Sequence, residues 1–310
     1  MGLRILAGTA NRPLADAIAR ALRTEPVPGE LERFPDGELR PNVGPVRGDD
    51  VYLVQPTGPP VSDHLIELLL LADACRRGGA GRITAVVPYF GYARQDRRGR
   101  AGEAVGSRVV ADALCGSGAH RLIVVDPHTT ALEAMCGIPT EMLTAVPVLA
   151  RALAPVPDGA VVVAPDLGAA KLAEHYASLL RLPVAVVRKT RLTGSAVQAE
   201  EIAGDIADRP AVIVDDMIST GATIEAAVRV VLAHGGAPDV VVAATHGLLV
   251  GAAASRLGSL AVRHVLTTDS LAVDQASMPA LRVVSVAPLL ADAIGRLHRD
   301  QPLGDLLIRA

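Results

Sequence analysis

The run Val212-Ile213-Val214-Asp215-Asp216-Met217-Ile218-Ser219-Thr220-Gly221-Ala222-Thr223 ends an apolar stretch in two adjacent carboxylates and then a small, hydroxyl-rich turn. The apolar residues predict a buried strand, and Ile224 to Leu232 predicts the helix after the turn. The first N–H groups of such a helix have no intrahelical partner and point outward, and the helix dipole favours negative charge there. Ser219, Thr220, Gly221, Ala222 and Thr223 are therefore expected to hold a phosphate, with three hydroxyls as further donors. Asp215 and Asp216, acceptors when ionised, suit the two cis hydroxyls of a ribose just upstream of that phosphate. Taken alone, Asp, Ser and Thr at such a turn also serve as helix caps; the paired acids favour a sugar-phosphate cradle.

A second cluster lies in the first half. The chain has no Trp, four Tyr and two Phe. Phe34 falls in Phe34-Pro35-Asp36-Gly37-Glu38, while Tyr89, Phe90 and Tyr92 fall in Pro88-Tyr89-Phe90-Gly91-Tyr92-Ala93-Arg94-Gln95-Asp96-Arg97-Arg98. Rings beside Arg94, Gln95, Arg97, Arg98 and Arg100 suggest a nucleotide site, with rings stacked on a base and guanidinium groups on phosphates. The bland alternative, a solvated basic loop with rings packed beneath it, stays open at this point.

The elements that must position these residues are legible as alternation. Continuous apolar runs at Val51–Val54, Ile83–Val87, Leu122–Val125, Val161–Val163, Val184–Val187, Val212–Val214, Val240–Val242 and Val283–Val286 imply strands buried on both faces. Helical patterns at 62–77, 105–114, 169–180 and 289–298 fall between or after them, so the expected fold is α/β with parallel sheets. Val124-Val125-Asp126-Pro127-His128-Thr129-Thr130 resembles the stretch from Val214 to Thr220, which two related α/β halves would explain. The turn-rich stretch from Ala154 to Gly159 is a candidate crossing between them. At 310 residues, half of them hydrophobic, the chain has core material for two domains.

Composition also bounds the partners. A net charge of -3 without charge blocks gives no general attraction to nucleic acid. The longest greasy segment, Leu65 to Leu71, is interrupted by Glu67 and too short to span a bilayer. Cys75, Cys115 and Cys136 are odd in number and lack metal-ligand spacing, and the first residues lack a signal-peptide pattern, so a cytoplasmic location is expected.

Together these segments resemble the ribose-phosphate pyrophosphokinase, or phosphoribosyl pyrophosphate synthetase, family. The motifs are F-P-D-G-E at 34 to 38, P-Y-F-G-Y-A-R-Q-D-R at 88 to 97, D-P-H at 126 to 128, A-P-D at 164 to 166, K-T-R at 189 to 191 and D-D-M-I-S-T-G-A-T at 215 to 223. They match that family's motifs in order over nearly the full chain. The resemblance implies two similar domains of the type I phosphoribosyltransferase kind, here 1–146 and 147–286, with 287–310 as a helix packing back on the first. It implies Mg²⁺-dependent transfer of the pyrophosphoryl group of ATP to ribose 5-phosphate, in a homo-oligomer. By the same resemblance Phe34, Asp36, Glu38, Arg94, Gln95 and Asp96 meet ATP, with Asp36 and Glu38 approaching from a neighbouring subunit. His128 and Asp166 would meet metal, and Lys189 and Arg191 would be catalytic.

Three departures from the family pattern stand out. Ser219 replaces an acid common in the phosphate loop, as in what looks like the archaeal-type branch. Gly221-Ala222 reverses the usual small pair, and a Cβ at 222 resists a positive φ if the loop demands one there. Pro127 replaces a leucine before His128. Two other readings are a type I phosphoribosyltransferase, which shares the 212–223 cradle but needs no loop at 88–98, and a catalytically silent subunit that regulates an active synthetase.

Overall fold

Runs of Val, Ile and Leu too continuous for a one-faced strand form parallel strands covered on both sides. The structure, a computed structural model, describes the backbone of residues 1–27, 29–193 and 196–308, with their side chains except those of 189–193, 196–200 and 277. It divides into two units. One comprises Met1–Thr144, Ser270–Ala272 and Ser285–Ala310, and the other Ala145–Asp269 and Val273–Val284.

The first unit contains β1 (Leu3–Ala7), β2 (Pro26–Val27), β3 (Glu30–Arg33), β4 (Leu39–Asn42), β5 (Asp50–Val54), β6 (Arg82–Val86), β7 (Arg121–Val125) and β8 (Thr140–Leu143). Its main sheet runs β2-β1-β5-β6-β7-β8, with every neighbouring pair parallel. Strands β3 and β4 form a separate antiparallel hairpin. Helices α1 (Arg12–Ala21), α2 (Val61–Arg77), α3 (Gly106–Ser117) and α4 (Leu132–Met135) connect the strands. Asn11 caps α1, its side chain accepting the Leu14 N–H at 3.3 Å.

The second unit contains α5 (Val146–Leu153), β9 (Val161–Ala164), α6 (Ala170–Leu180), β10 (Val184–Thr193), β11 (Ala196–Ala203), β12 (Ala211–Ile218), α7 (Ala222–Ala233), β13 (Val240–Gly247), α8 (Ala253–Gly258), β14 (Val262–Thr268) and β15 (Leu281–Val284). Its sheet order is β11-β10-β9-β12-β13-β14-β15. Only β11 runs antiparallel to its neighbour among the described residues. The turn-rich stretch from Ala154 to Gly159 lies inside this unit, between α5 and β9. Among the described residues no helix is long and apolar enough to cross a membrane.

Helix α9 (Ala287–His298) belongs to the first unit and packs on α1. A buried ion cluster anchors its end. Asp50, without solvent contact, accepts from Arg82 Nε at 2.8 Å and Nη2 at 2.6 Å, and pairs with His298 Nδ1 at 2.7 Å. Arg82 Nη2 also reaches the Leu297 carbonyl at 3.2 Å. The chain after α9 then returns to β8, where Ile308 N–H donates to the Met142 carbonyl at 2.9 Å. Burial by itself would raise the Asp50 carboxyl, but the bonds and charges of Arg82 and His298 outweigh it and hold the group below its usual range.

Removing one member of a buried pair leaves the other uncompensated, at a loss of about 3–5 kcal/mol. Asp50→Asn is accordingly expected to lower unfolding free energy on that scale in urea titrations followed by circular dichroism. Because the folded value lies below the unfolded one, this contribution is present above about pH 4 and lost as pH falls through the folded value. The gap between wild type and variant is therefore expected to close in acid.

Candidate active site

In the second unit the parallel register β9–β12 (Val161↔Ala211, Val162↔Val212, Val163↔Ile213) brings the carboxyl ends of two strands side by side. Asp166 follows β9. Asp215 and Asp216 lie within β12, which continues through both acids to Ile218 rather than ending before them. The Asp216 N–H donates to Asp215 Oδ1 at 2.9 Å. Asp215 is pushed up to about 8, first by burial and then by the negative charge of Asp216, with Asp166 adding to it. Asp166 is exposed, and its Oδ1 accepts the N–H groups of Gly168 (2.8 Å) and Ala169 (3.2 Å) at the start of α6. It therefore closes the turn that leads into α6 as well as contributing charge.

Ser219, Thr220 and Gly221 turn the chain into α7, whose first residue is Ala222. Gly221 takes the left-handed conformation, φ 76°, where a Cβ would be strained and would also touch Leu257 at 3.4 Å. The Glu225 N–H closes onto the Gly221 carbonyl at 2.9 Å, so the preceding N–H groups are those of a helix entry. Thr220, Ala222 and Thr223 are exposed and Ser219 half-buried. The turn is braced from the β13–α8 connection. Leu249 and Val250 N–H groups donate to the Ile218 and Ser219 carbonyls, both at 3.0 Å, and Arg256 Nη1 donates to the Thr220 carbonyl. Nothing in the 212–223 motif points to Arg256, which lies some 30 positions on and is brought back by β13.

The first unit holds the other set. The hairpin tip between β3 and β4 presents Phe34, half-buried, and Asp36 and Glu38, both exposed. The tip is tied by Phe34 N–H to the Glu38 carbonyl at 2.8 Å and by Glu38 N–H to Asp36 Oδ1 at 3.1 Å. The Arg40 guanidinium sits 5.6 Å from the Phe34 ring centroid. After β6, Gly91 N–H donates to Thr57 Oγ1 at 2.6 Å in an approach so close that a Cβ on Gly91 would lie 2.5 Å from the Thr57 carbonyl. This fixes the loop that exposes Arg94 and Gln95, with Asp96 half-buried. Ser107 at the start of α3 donates both its N–H (3.2 Å) and Oγ (3.0 Å) to the Gln95 carbonyl.

The ring-stacking expectation for this loop is corrected. Tyr89 and Phe90 are buried, and Tyr92 packs half-buried against the same core, so these rings support the loop from beneath while the arginines face water. His128 is exposed beyond the end of β7, in the first unit, whereas Asp166 is in the second. The hairpin tip and residues 94–96 share no hydrogen bond or ion pair among the described residues. Both are tied to the start of α2, through Arg33 to Asp63 (3.3 Å) and Tyr92 to Ser62 (3.2 Å). Lys189 and Arg191 fall in β10, and their side chains lie outside the described residues.

Residues 3–118 match the N-terminal domain of ribose phosphate pyrophosphokinase, and residues 194–308 match the phosphoribosyl synthetase-associated domain. A ribose-phosphate pyrophosphokinase of Rhodopirellula baltica is 40% identical over 312 residues, covering 98% of each chain. One from Caldanaerobacter subterraneus is 36% identical over 308 residues, covering 98% of this chain and 97% of the relative. The crystal structure of phosphoribosylpyrophosphate synthetase from Mycobacterium smegmatis superposes with a TM-score of 0.91 at 35% identity, over 97% of this chain and 100% of that one. The chain belongs to the ribose-phosphate pyrophosphokinase family.

Two departures from the pyrophosphokinase pattern acquire physical accounts. The reversed pair is harmless because the left-handed position falls on Gly221, leaving Ala222 at a helical position where a methyl is favourable. At the other, Asp126 itself takes φ 37°, a conformation Asp tolerates better than most residues, and Pro127 follows with its own φ already fixed.

The raised Asp215 makes a stability prediction. An unfolded aspartate ionises near pH 4 whereas the folded one keeps its proton to about pH 8, so ligand-free stability falls as pH rises between these values. Asp215→Asn, which cannot ionise, is expected to melt higher than wild type, with a larger margin at pH 8 than at pH 5 in thermal scans without substrates.

Proposed function

We propose that this chain catalyses attack of the anomeric hydroxyl of ribose 5-phosphate on the β-phosphorus of ATP, giving phosphoribosyl pyrophosphate and AMP. The observation that carries the reading is the turn from β12 into α7, where left-handed Gly221 leads into a helix entry shortly after the adjacent acids Asp215 and Asp216. Ser219 to Thr223 hold the 5-phosphate through backbone N–H groups and hydroxyls. Asp215 and Asp216 accept from the ribose hydroxyls, orienting the sugar. Phe34, Asp36, Glu38, Arg94, Gln95 and Asp96 receive the adenine nucleotide. One face of Phe34 is covered by Arg40, so the base stacks on the other.

Little covalent work falls to protein in such a transfer, so positioning and charge neutralisation dominate. Lys189 and Arg191 supply positive charge to the transferring group. Mg²⁺ neutralises the triphosphate and the pyrophosphate when bound. Among the described residues no group of three or more His, Cys, Asp or Glu is arranged to hold a metal alone. That suits Mg²⁺, which takes one or two carboxylates together with waters and substrate phosphates. His128 is assigned to one Mg²⁺, and Asp166, both of whose backbone bonds fall on Oδ1, to a second metal and the sugar. Asp215 is raised first by burial and then by the charge of Asp216, and the latter contribution favours a cation nearby.

The exposed hairpin tip supports a homo-oligomer in which Asp36 and Glu38 serve the site of a neighbouring copy. A cytoplasmic location, where both charged substrates are confined, completes the reading. Gln301 to Leu307 carries no hydroxyl to line a phosphate-activated regulatory site.

Phosphorus NMR with Mg²⁺, ATP and ribose 5-phosphate is expected to show AMP and a sugar pyrophosphate; ADP in their place would refute the reaction. Lys189→Ala is expected to lower kcat about 10²–10³-fold with little change in ribose 5-phosphate binding, and equal losses in both would move Lys189 to a binding role. Turnover is expected without added inorganic phosphate, with weak inhibition by ADP; a steep phosphate requirement in steady-state kinetics would contradict this.

A further inference from the structure

We infer that Arg256 is a positioning residue for the ribose-phosphate loop, orienting the Thr220–Gly221 peptide and cancelling the charge that Glu225 would otherwise direct at the bound phosphate. The inference rests on the ribose 5-phosphate reading above. Arg256 projects from α8 and does two things at once. Its Nη1 donates to the Thr220 carbonyl, and its Nε pairs with Glu225 Oε2 at 2.9 Å. A trans peptide is planar, with C=O and N–H pointing opposite ways. Holding the Thr220 carbonyl toward α8 therefore turns the Gly221 N–H to the other side, the side on which a helix entry receives an anion.

The second contact answers an electrostatic problem built into this loop. Glu225 lies in the first turn of α7, where its carboxylate favours the helix dipole but opposes a dianionic ligand at the same helix end. Its two oxygens are taken by two arginines, Oε1 by Arg229 Nη2 at 2.6 Å and Oε2 by Arg256. These are not equivalent. The Arg229 side chain is 72% exposed and well screened, whereas Arg256 is 31% exposed and also holds the loop. A guanidinium fork can serve a carbonyl and a carboxylate together; an ammonium cannot hold the same two directions.

The test measures ribose 5-phosphate binding by calorimetry with Mg²⁺, alongside steady-state kinetics, on wild type, Arg256→Ala, Arg256→Lys and the double variant Arg256→Ala/Glu225→Gln. Arg256→Ala is expected to weaken ribose 5-phosphate about tenfold with the KM for ATP unchanged. Arg256→Lys should recover part of that loss. Removing the carboxylate in the double variant should recover several-fold, an outcome that a purely structural strut does not produce. Unchanged affinity in Arg256→Ala overturns the inference, as does a loss that Glu225→Gln fails to relieve and that tracks a fall in melting temperature. A wild type that binds ribose 5-phosphate but makes no AMP would refute the proposed reaction while leaving the binding comparison able to decide the role of Arg256.

Discussion

The parallel pairing of β9 with β12 is the constraint on which the acid-rich edge of the second unit depends. Parallel strands deliver their carboxyl ends to the same edge, so whatever follows one strand meets whatever follows the next. Asp166 thereby comes within electrostatic reach of Asp215, although 49 positions separate the two in sequence. The register of β12 with β13 extends to Ile218↔Gly247 and carries the connection to α8 alongside the Ser219–Gly221 turn. The backbone bonds from Leu249 and Val250 are consequences of that register, and so is the placement of Arg256.

This edge is electrostatically divided. Immediately before the turn, Asp215 and Asp216 stand side by side, and burial together with the charge of Asp216 raises Asp215. Immediately after it, backbone N–H groups and a helix dipole make a positive end. A sugar phosphate has the complementary division, with neutral hydroxyls that donate and a dianion that accepts. The acidic half disfavours the ligand-free state, since ionising Asp215 there is opposed by burial and by Asp216. The hydroxyl donors and divalent cation proposed to bind here would relieve that opposition.

The sequence reveals some of this and hides the rest for physical reasons. Valine-rich runs such as Val161 to Val163 and Val240 to Val242 are legible because a strand buried on both faces has no polar positions to interrupt it. The hairpin from Glu30 to Asn42 is not legible, because its strands are short, charged and mostly exposed, and its shape comes from the turn at Phe34 to Glu38. The role of Tyr89 and Phe90 is ambiguous in sequence, since a ring beside arginines reads equally as a stacking surface or as core. Only the path of the chain out of β6 decides for core. The position of the left-handed residue could not be read from Gly221-Ala222, because that depends on whether the helix begins at the second or third small residue.

The likeness between Val124–Thr130 and Val214–Thr220 shows how two similar halves come to do different work. In the first unit the strand ends at Val125, and the left-handed residue is Asp126 itself. The chain therefore breaks away at the acid, Asp126 is buried, and His128 is displayed two residues later. In the second unit the strand runs on through both acids and the left-handed residue is Gly221, where the helix begins. That delay keeps the acids on the strand and moves the turn to the helix entry, where the proposed phosphate site lies. The difference between the two turns thus lies in where along a shared strand-to-helix path the chain adopts a positive φ. Asp tolerates that conformation at the first site, and glycine makes it unstrained at the second.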